Sequence, residues 1–376
     1  MTRSVAFGST VSTLEVEHDY VGINDLFHER GWTDGLPIIP PTQELVAAML
    51  AYCDRPWDEP VARIAPRYGE ATPVRIATNA VMAGCRPEYF PVVLTAIEAL
   101  CEEPFNLYGL QATTHLVSPL IVVNGPIAAE LGINCGANAL GSGCRSNASI
   151  GRAVRLALVN IGGGRSGAGD MATFGSPAKY SYLTAENEAE SPWEPLHVER
   201  GYAAGTSTVT VIGAECPHNV NDHQSVTGEG ILKMIAGTLA TTGNNDVYNT
   251  DPHPAVVIGP EHAATIAGDG FSKADVKRFL FEHAVLPLQR FSRENIERRF
   301  LVTFRDRYRT ADSPLPVPVV QRAEDIVVIV TGGPGKHSAV MPTFGVTVPV
   351  TRDIRRADGR AVRSVEEFRR AGGASA

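Results

Sequence analysis

The chain has no run of eighteen apolar residues, so no segment is suited to crossing a bilayer as a helix. It has no surplus of positive charge. Lys and Arg number 33 against 41 Asp and Glu, a net charge of −8, which argues against a general nucleic-acid binder because nothing is left over to neutralise phosphates. No dinucleotide-binding glycine fingerprint is present, and none of the six cysteines (Cys53, Cys85, Cys101, Cys135, Cys144, Cys216) forms a CxxC pair. The first ten residues are too short and polar for a signal-peptide core. The thiols are therefore read as reduced and the expected location is the cytoplasm.

What is present is repetition. An apolar run ending in Asn124 breaks at Gly125-Pro126 and enters a helical pattern; a second run, from Ala255, breaks at Gly259-Pro260 and does the same. Upstream of each lie a strand-like segment (61–65 and 208–213) and a helical stretch (79–100 and 225–239), and downstream a basic amphipathic helix containing Val154-Arg155 or Val276-Lys277. This pattern predicts an α/β protein of two related lobes, each an internal copy of a β-α-β-(Gly-Pro)-α unit. Runs apolar on both faces and alternating with helices point to mostly parallel sheets covered by helices. The expected layout is an arm over 1–20, a first lobe over 21–200, a second over 201–350 and a charged tail over 351–376 outside the core. A homo-oligomer is expected.

Local signals refine this. Thr42 is a helix N-cap after the proline-rich stretch 37–41, and Asp34-Gly35 is a turn able to present a carboxylate to a cleft. The helical pattern after Asn79 is broken at Gly84 to Pro87, predicting two helices rather than one kinked one. From Pro126 to Val154 is 28 residues, but from Pro260 to Val276 only 16. Much of the extra length is a glycine-rich loop over 134–148 that feeds a helix over 149–161. Such a loop offers backbone N–H groups and a helix dipole to an anion, and Arg145 adds a fork of donors. Asn124, Arg145 and Asn147 are therefore candidate substrate-binding residues, with Asp34. Asp170, Lys179, Glu186 and His197 are the ionisable groups of the long irregular stretch that follows, and Asp170 and Lys179 join the binding set.

Candidate catalytic groups sit at apparent strand ends. Gly332-Gly333-Pro334-Gly335-Lys336-His337 resembles a phosphate loop only superficially, because Val330 stands where the first glycine belongs and His337 where Ser or Thr would bind magnesium. What remains is a turn presenting Lys336 and His337 for carbonyl polarisation and proton transfer. His262, in the first turn of the second Gly-Pro helix, and His218 are further proton-transfer candidates. Cys144, beside Arg145 near a helix start, is a candidate thiolate nucleophile. No cofactor is expected. The one metal alternative is Cys216, His218 and His223, whose spacing matches no zinc pattern.

The stretches 31–42 (GWTDGLPIIPPT), 79–92 (NAVMAGCRPEYFPV) and 191–197 (SPWEPLH) together resemble a poorly characterised bacterial family associated with small UGSC-type proteins that contain selenocysteine or cysteine. The resemblance extends to about Val350. The chain lacks the Cys-Gly-Ser-Cys or selenocysteine form of that motif, and Gly141 to Cys144 is not equivalent to it. Membership implies a small thiol or selenol protein partner and transfers no catalytic residue. The leading functional expectation is an enzyme that binds a small anionic substrate between two lobes and cleaves, hydrates or hydrolyses a carbon–heteroatom bond without redox change. A thiol-dependent oxidoreductase, a metalloenzyme and a non-enzymatic two-lobed binder are the alternatives.

Overall fold

Alternation along the strands decides the architecture. In β1 (Ser118–Asn124), Leu120 and Val122 enter one apolar cluster while Ile121 and Val123 enter another. The same division recurs in β3 (Thr208–Ala214), β5 (Ala255–Ile258) and β6 (Val327–Val330). Successive side chains of a strand point to opposite faces, so each strand is buried on both. The remaining long-sheet strands are β2 (Leu183–Ala185), β4 (His218–Asn221), β7 (His337–Met341) and β8 (Val350–Asp353). They form two four-stranded sheets, ordered β8-β3-β1-β2 and β6-β5-β7-β4. This computed structural model describes residues 12–16 and 19–369, so much of the expected N-terminal arm lies outside the described residues.

The sheets pack against each other through Leu120, Val122, Ile212, Ala214, Ala255, Val257, Ile329 and Met341. Helices cover the outer faces. Around the first sheet these are α1 (Tyr20–Glu29), α2 (Gln43–Leu50), α3 (Pro73–Met82), α4 (Phe90–Leu100), α5 (Pro126–Glu130) and α6 (Arg145–Asn160); over the second, α7 (Gly228–Leu239), α8 (Pro260–Gly268) and α9 (Lys273–His283). The result is a four-layer helix–sheet–sheet–helix arrangement, an α/β fold. Thr42 caps α2 by accepting from the Leu45 N–H, as its position suggested. The break at 84–87 does separate two helices, with Pro87 opening a short 3-10 turn into α4.

Apart from short elements such as the helices Leu107–Ala112 and Leu196–Glu199 and the ribbon of Val285–Leu286 with Val317–Pro318, the same order of elements occurs twice. One unit runs α4-β1-α5-α6-β2-β3-β4 and the other α7-β5-α8-α9-β6-β7-β8. In each, the first strand pairs in parallel with the second and antiparallel with the third. In each, the fourth strand leaves for the other sheet: β4 pairs with β7, and β8 pairs with β3. Both Gly-Pro breaks have one steric reason. A Cβ on Gly125 would lie 2.4 Å from the Thr206 carbonyl oxygen, and one on Gly259 would lie 2.3 Å from that of His337. Backbone at the start of the neighbouring antiparallel strand leaves room for hydrogen alone.

Several expectations are corrected. The sheets are mixed, with one parallel and two antiparallel pairings each, because an apolar strand covered by another sheet reads the same as one covered by helices. The matched upstream strands are not equivalent. Ala62–Ile64 forms a small ribbon with Gly69–Ala71, whereas Thr208–Ala214 belongs to the first sheet. Hydrogen bonding therefore does not follow a division at 200/201. The described part of the tail, to Arg369, is not outside the core. β8 completes the first sheet, and Ile354, Val362, Val365 and Phe368 are buried in its helical-side cluster. The charged residues that make this segment look peripheral alternate with those four apolar anchors.

Asp246, fully buried, clamps the approach to β8 by accepting from the backbone N–H and the hydroxyl of Thr343. Burial raises its pKa to about 7, the Thr343 hydrogen bonds opposing and the Glu215 charge adding to the rise. The folded protein holds this proton more tightly than the unfolded chain. Its stabilising contribution is complete below about pH 4 and is lost as pH rises through about 7. Urea unfolding at pH 5 and pH 8 should show wild type losing on the order of 1–4 kcal/mol more over that interval than Asp246→Asn. Parallel pH dependence in the two proteins would contradict this.

Candidate functional site

A cavity of about 390 Å³ opens where the carboxyl ends of β5 and β6 meet the glycine-rich loop of the first unit. Gly332, Gly333, Pro334 and Gly335 form one wall, Asn138, Ala139 and Leu140 another, and Asn219 and His337 the mouth. This size suits a small molecule. The two loops are in direct contact. A Cβ on Gly333 would meet the Ala137 Cα at 2.7 Å, and Gly332 N–H donates to the Cys135 carbonyl at 2.8 Å. The Thr331 hydroxyl, with its single hydrogen, lies within reach of the carbonyls of Cys135 and Ala185, at 2.8 and 3.0 Å. The cavity thus lies at the junction of the two units, and none of the residues lining it is acidic.

His337, the exposed first residue of β7, stands at this mouth. Its Nε2 lies 3.2 Å from Nε2 of His223, with the rings nearly perpendicular at 82°. Its Nδ1 lies 3.0 Å from Oδ1 of Asn219 on the adjacent strand β4. An amide oxygen only accepts, so this contact places a proton on Nδ1 and leaves the neutral ring's Nε2 as an acceptor. The His223 contact is a hydrogen bond only when one Nε2 carries a proton and the other does not. Lys336 is half-buried beside it in the turn. Glu261, at the start of α8, accepts from Gly335 N–H at 2.7 Å and braces that turn.

Other sequence candidates have different occupations. His262 is buried at the start of α8. Its Nε2–H donates to the Asp222 carbonyl at 3.1 Å, so Nδ1 accepts from the Ser338 hydroxyl at 2.8 Å. It supports the strand behind His337 and does not line the cavity. His218 is exposed on β4 opposite Val340, three register positions from the His337 pairing, and stands apart from the site. Arg145 points its guanidinium at the Gly84 carbonyl, at 3.1 and 3.0 Å. Asn147 is buried and acts as the clamp of the glycine loop, accepting from Asn134 N–H and donating to the carbonyls of Asn134, Ala139 and Leu183. Asp170 is held by Lys179 and Arg155, and the Asp34 carboxylate is taken by a two-pronged contact with Arg152. These ion pairs are internal, so Asp34 presents nothing to a cleft. Cys216, His218 and His223 do not converge; among the described residues the group whose ligand atoms do is Asp251, His253 and Asp325.

Asn124 belongs to a second, buried polar cluster. Its side-chain amide donates to Glu186 and Glu188, Gly125 N–H donates to Glu188, and Leu196 N–H donates to Glu186. Burial raises the Glu186 pKa, against the opposing pull of Lys273 and these donors. Burial likewise lowers that of His197, which lies 3.8 Å from Glu188. A larger cavity of about 720 Å³ lies among α1, α2 and α3 under residues 12–16, and its walls are largely apolar.

Sequence reasoning singled out His337, Lys336 and the glycine loop. It missed Asn219 and gave His223 the wrong partner, although strand alternation in His218–Asn221 was a usable signal: only one of two adjacent residues can face His337. Comparisons with family models, curated proteins and solved structures find no match.

Cys144 is the N-cap residue of α6, which begins four residues before the expected start, and its thiol contacts the Gly132 carbonyl and the Ser146 hydroxyl. Burial works against its thiolate, but the Asn147 N–H and Ser146 outweigh it and lower its pKa. Burial instead raises the thiols of Cys85 and Cys101 to about 12 and that of Cys135 above its ordinary value. Iodoacetamide at pH 7 followed by peptide mapping should modify Cys144 at least about tenfold faster than any of these three. Equal rates would refute the assignment.

Proposed function

We propose that this protein is an enzyme that takes a small anionic molecule into the cavity between the glycine-rich loop and the 332–335 turn, and that it cleaves, hydrates or hydrolyses a carbon–heteroatom bond without redox change. The observation that carries this reading is the His223–His337 contact at the mouth of a cavity whose lining holds no carboxylate. Lys336 and the side-chain N–H groups of Asn219, whose oxygen is held by His337, favour a carboxylate or carbonyl oxygen over a cation. In an elimination that starts with His337 neutral and His223 as imidazolium, His337 takes a proton from the carbon beside the carboxylate, His223 gives its proton to the leaving hydroxyl, and water departs. The pair ends with one proton, as it began, now taken from the substrate and held on His337, so no external acid or base is consumed.

The lowered Cys144 pKa supports a second reading, thiol chemistry with a small partner protein, in which Cys144 would be the attacking group. It stands second because Cys144 does not line the cavity.

A panel of small hydroxy-, keto- and unsaturated carboxylates, followed by thermal shift and by proton NMR for turnover, tests the first reading. At least one member should stabilise the wild type and be converted. Conversion should fall by about 100-fold or more in His337→Ala, and binding should weaken in Lys336→Ala. Full conversion by His337→Ala would refute the site, and its loss in Cys144→Ser alone would transfer the chemistry to the thiol.

A further inference from the structure

The opposite end of the second sheet holds a different constellation. Asp251 and His253 precede β5, and Asp325 precedes β6; these strands lie side by side in parallel register, and Val327 N–H donates to the Pro254 carbonyl. One ligand atom from each of Asp251, His253 and Asp325 falls within 4.8 Å of the others. His253 is 8% exposed, and its Nε2 has no hydrogen-bond partner. That atom lies 3.6 Å from a carboxylate oxygen of Asp251, too long for a hydrogen bond. Two ligand atoms each ~2.1 Å from one tetrahedral ion sit roughly 3.4 Å apart, which matches this spacing.

We propose that Asp251, His253 and Asp325 form a binding site for a first-row divalent transition ion of the zinc class. One imidazole nitrogen and two carboxylates suit such an ion better than calcium or magnesium, which favour all-oxygen shells. Asp325 is 3% exposed and fixed in place, while the side chain of Asp251 is half exposed and leaves a path for the ion and for completing waters. The competing cation is Arg322, which holds both oxygens of Asp325 from the solvent side. His253 N–H is anchored to the Thr343 hydroxyl, itself bound by Asp246. Bound metal would thus staple the starts of β5 and β6. This role is structural and independent of the reaction proposed at the other end of the sheet.

The test is titration of EDTA-treated, dialysed full-length protein with zinc by calorimetry, and with cobalt by visible absorption, alongside thermal unfolding. The wild type should take up one ion per chain, give a tetrahedral or five-coordinate cobalt spectrum and unfold at higher temperature with zinc. Asp251→Asn, at a half-exposed side chain, should weaken zinc binding roughly tenfold or more, and His253→Ala further. Arg322→Gln should bind more tightly than wild type, because a competing charge is removed. No stoichiometric ion in the wild type, unchanged affinity in Asp251→Asn, or loss of the ion in His337→Ala in place of these variants would overturn the proposal.

Discussion

The reciprocal exchange of one strand governs this fold. β4 follows β3 directly in sequence yet pairs with β7, and β8 follows β7 yet pairs with β3. Neither sheet has its fourth strand without the other unit, so the two cannot separate without each exposing an unpaired edge beside an apolar face. Small side chains at the contact, including Ala214 and Ala255, allow the sheets to close on each other. The interface is therefore part of the core. A hinge between two lobes, with ligand closing it, is not what this topology offers.

A rigid junction is where loops can be held to the tolerance that chemistry needs. The glycine-rich loop is pinned at one end by four hydrogen bonds of the Asn147 side chain and at the other by Gly332 and Thr331 at the Cys135 carbonyl. The segment after β2 is tied across the units as well: Asn187 N–H donates to the Val330 carbonyl, and Lys273 of α9 donates to that of Glu194. Polar groups that resemble ligand-binding residues in the sequence, such as Asn124 and Asn147, are used to fasten the frame on which His337 is displayed.

The parts of this arrangement that were legible in the sequence are those set by local chemistry. Thr42, the Gly84 to Pro87 break and the two Gly-Pro sites announce themselves through caps, missing N–H groups and steric exclusion, and each lies where expected. Strand partners were not legible. Apolar runs such as Leu120 to Val123 satisfy any partner that removes both faces from water, and nothing local says that β4 must cross to the other sheet. For the same reason Asp34 reads as a presented carboxylate, since its partner Arg152 is 118 residues away. Lys336 and His337 were legible because a glycine-rich turn after an apolar strand places its residues at a sheet end whatever the neighbours are.

The two units differ at the corresponding strand ends. Asn124 pairs with Thr208 as Ile258 pairs with Ser338, so the residue preceding each partner, Ser207 or His337, occupies the corresponding place. In the first unit Ser207 accepts from the Ile127 N–H at the start of α5, and Glu188 accepts from Gly125 N–H, which seals that strand end with internal hydrogen bonds. In the second unit the corresponding position carries an exposed imidazole, and the turn beside it is braced from behind by Glu261. The repeated order of elements thus places a buried, internally bonded Ser207 at one strand end and an exposed His337 at the other.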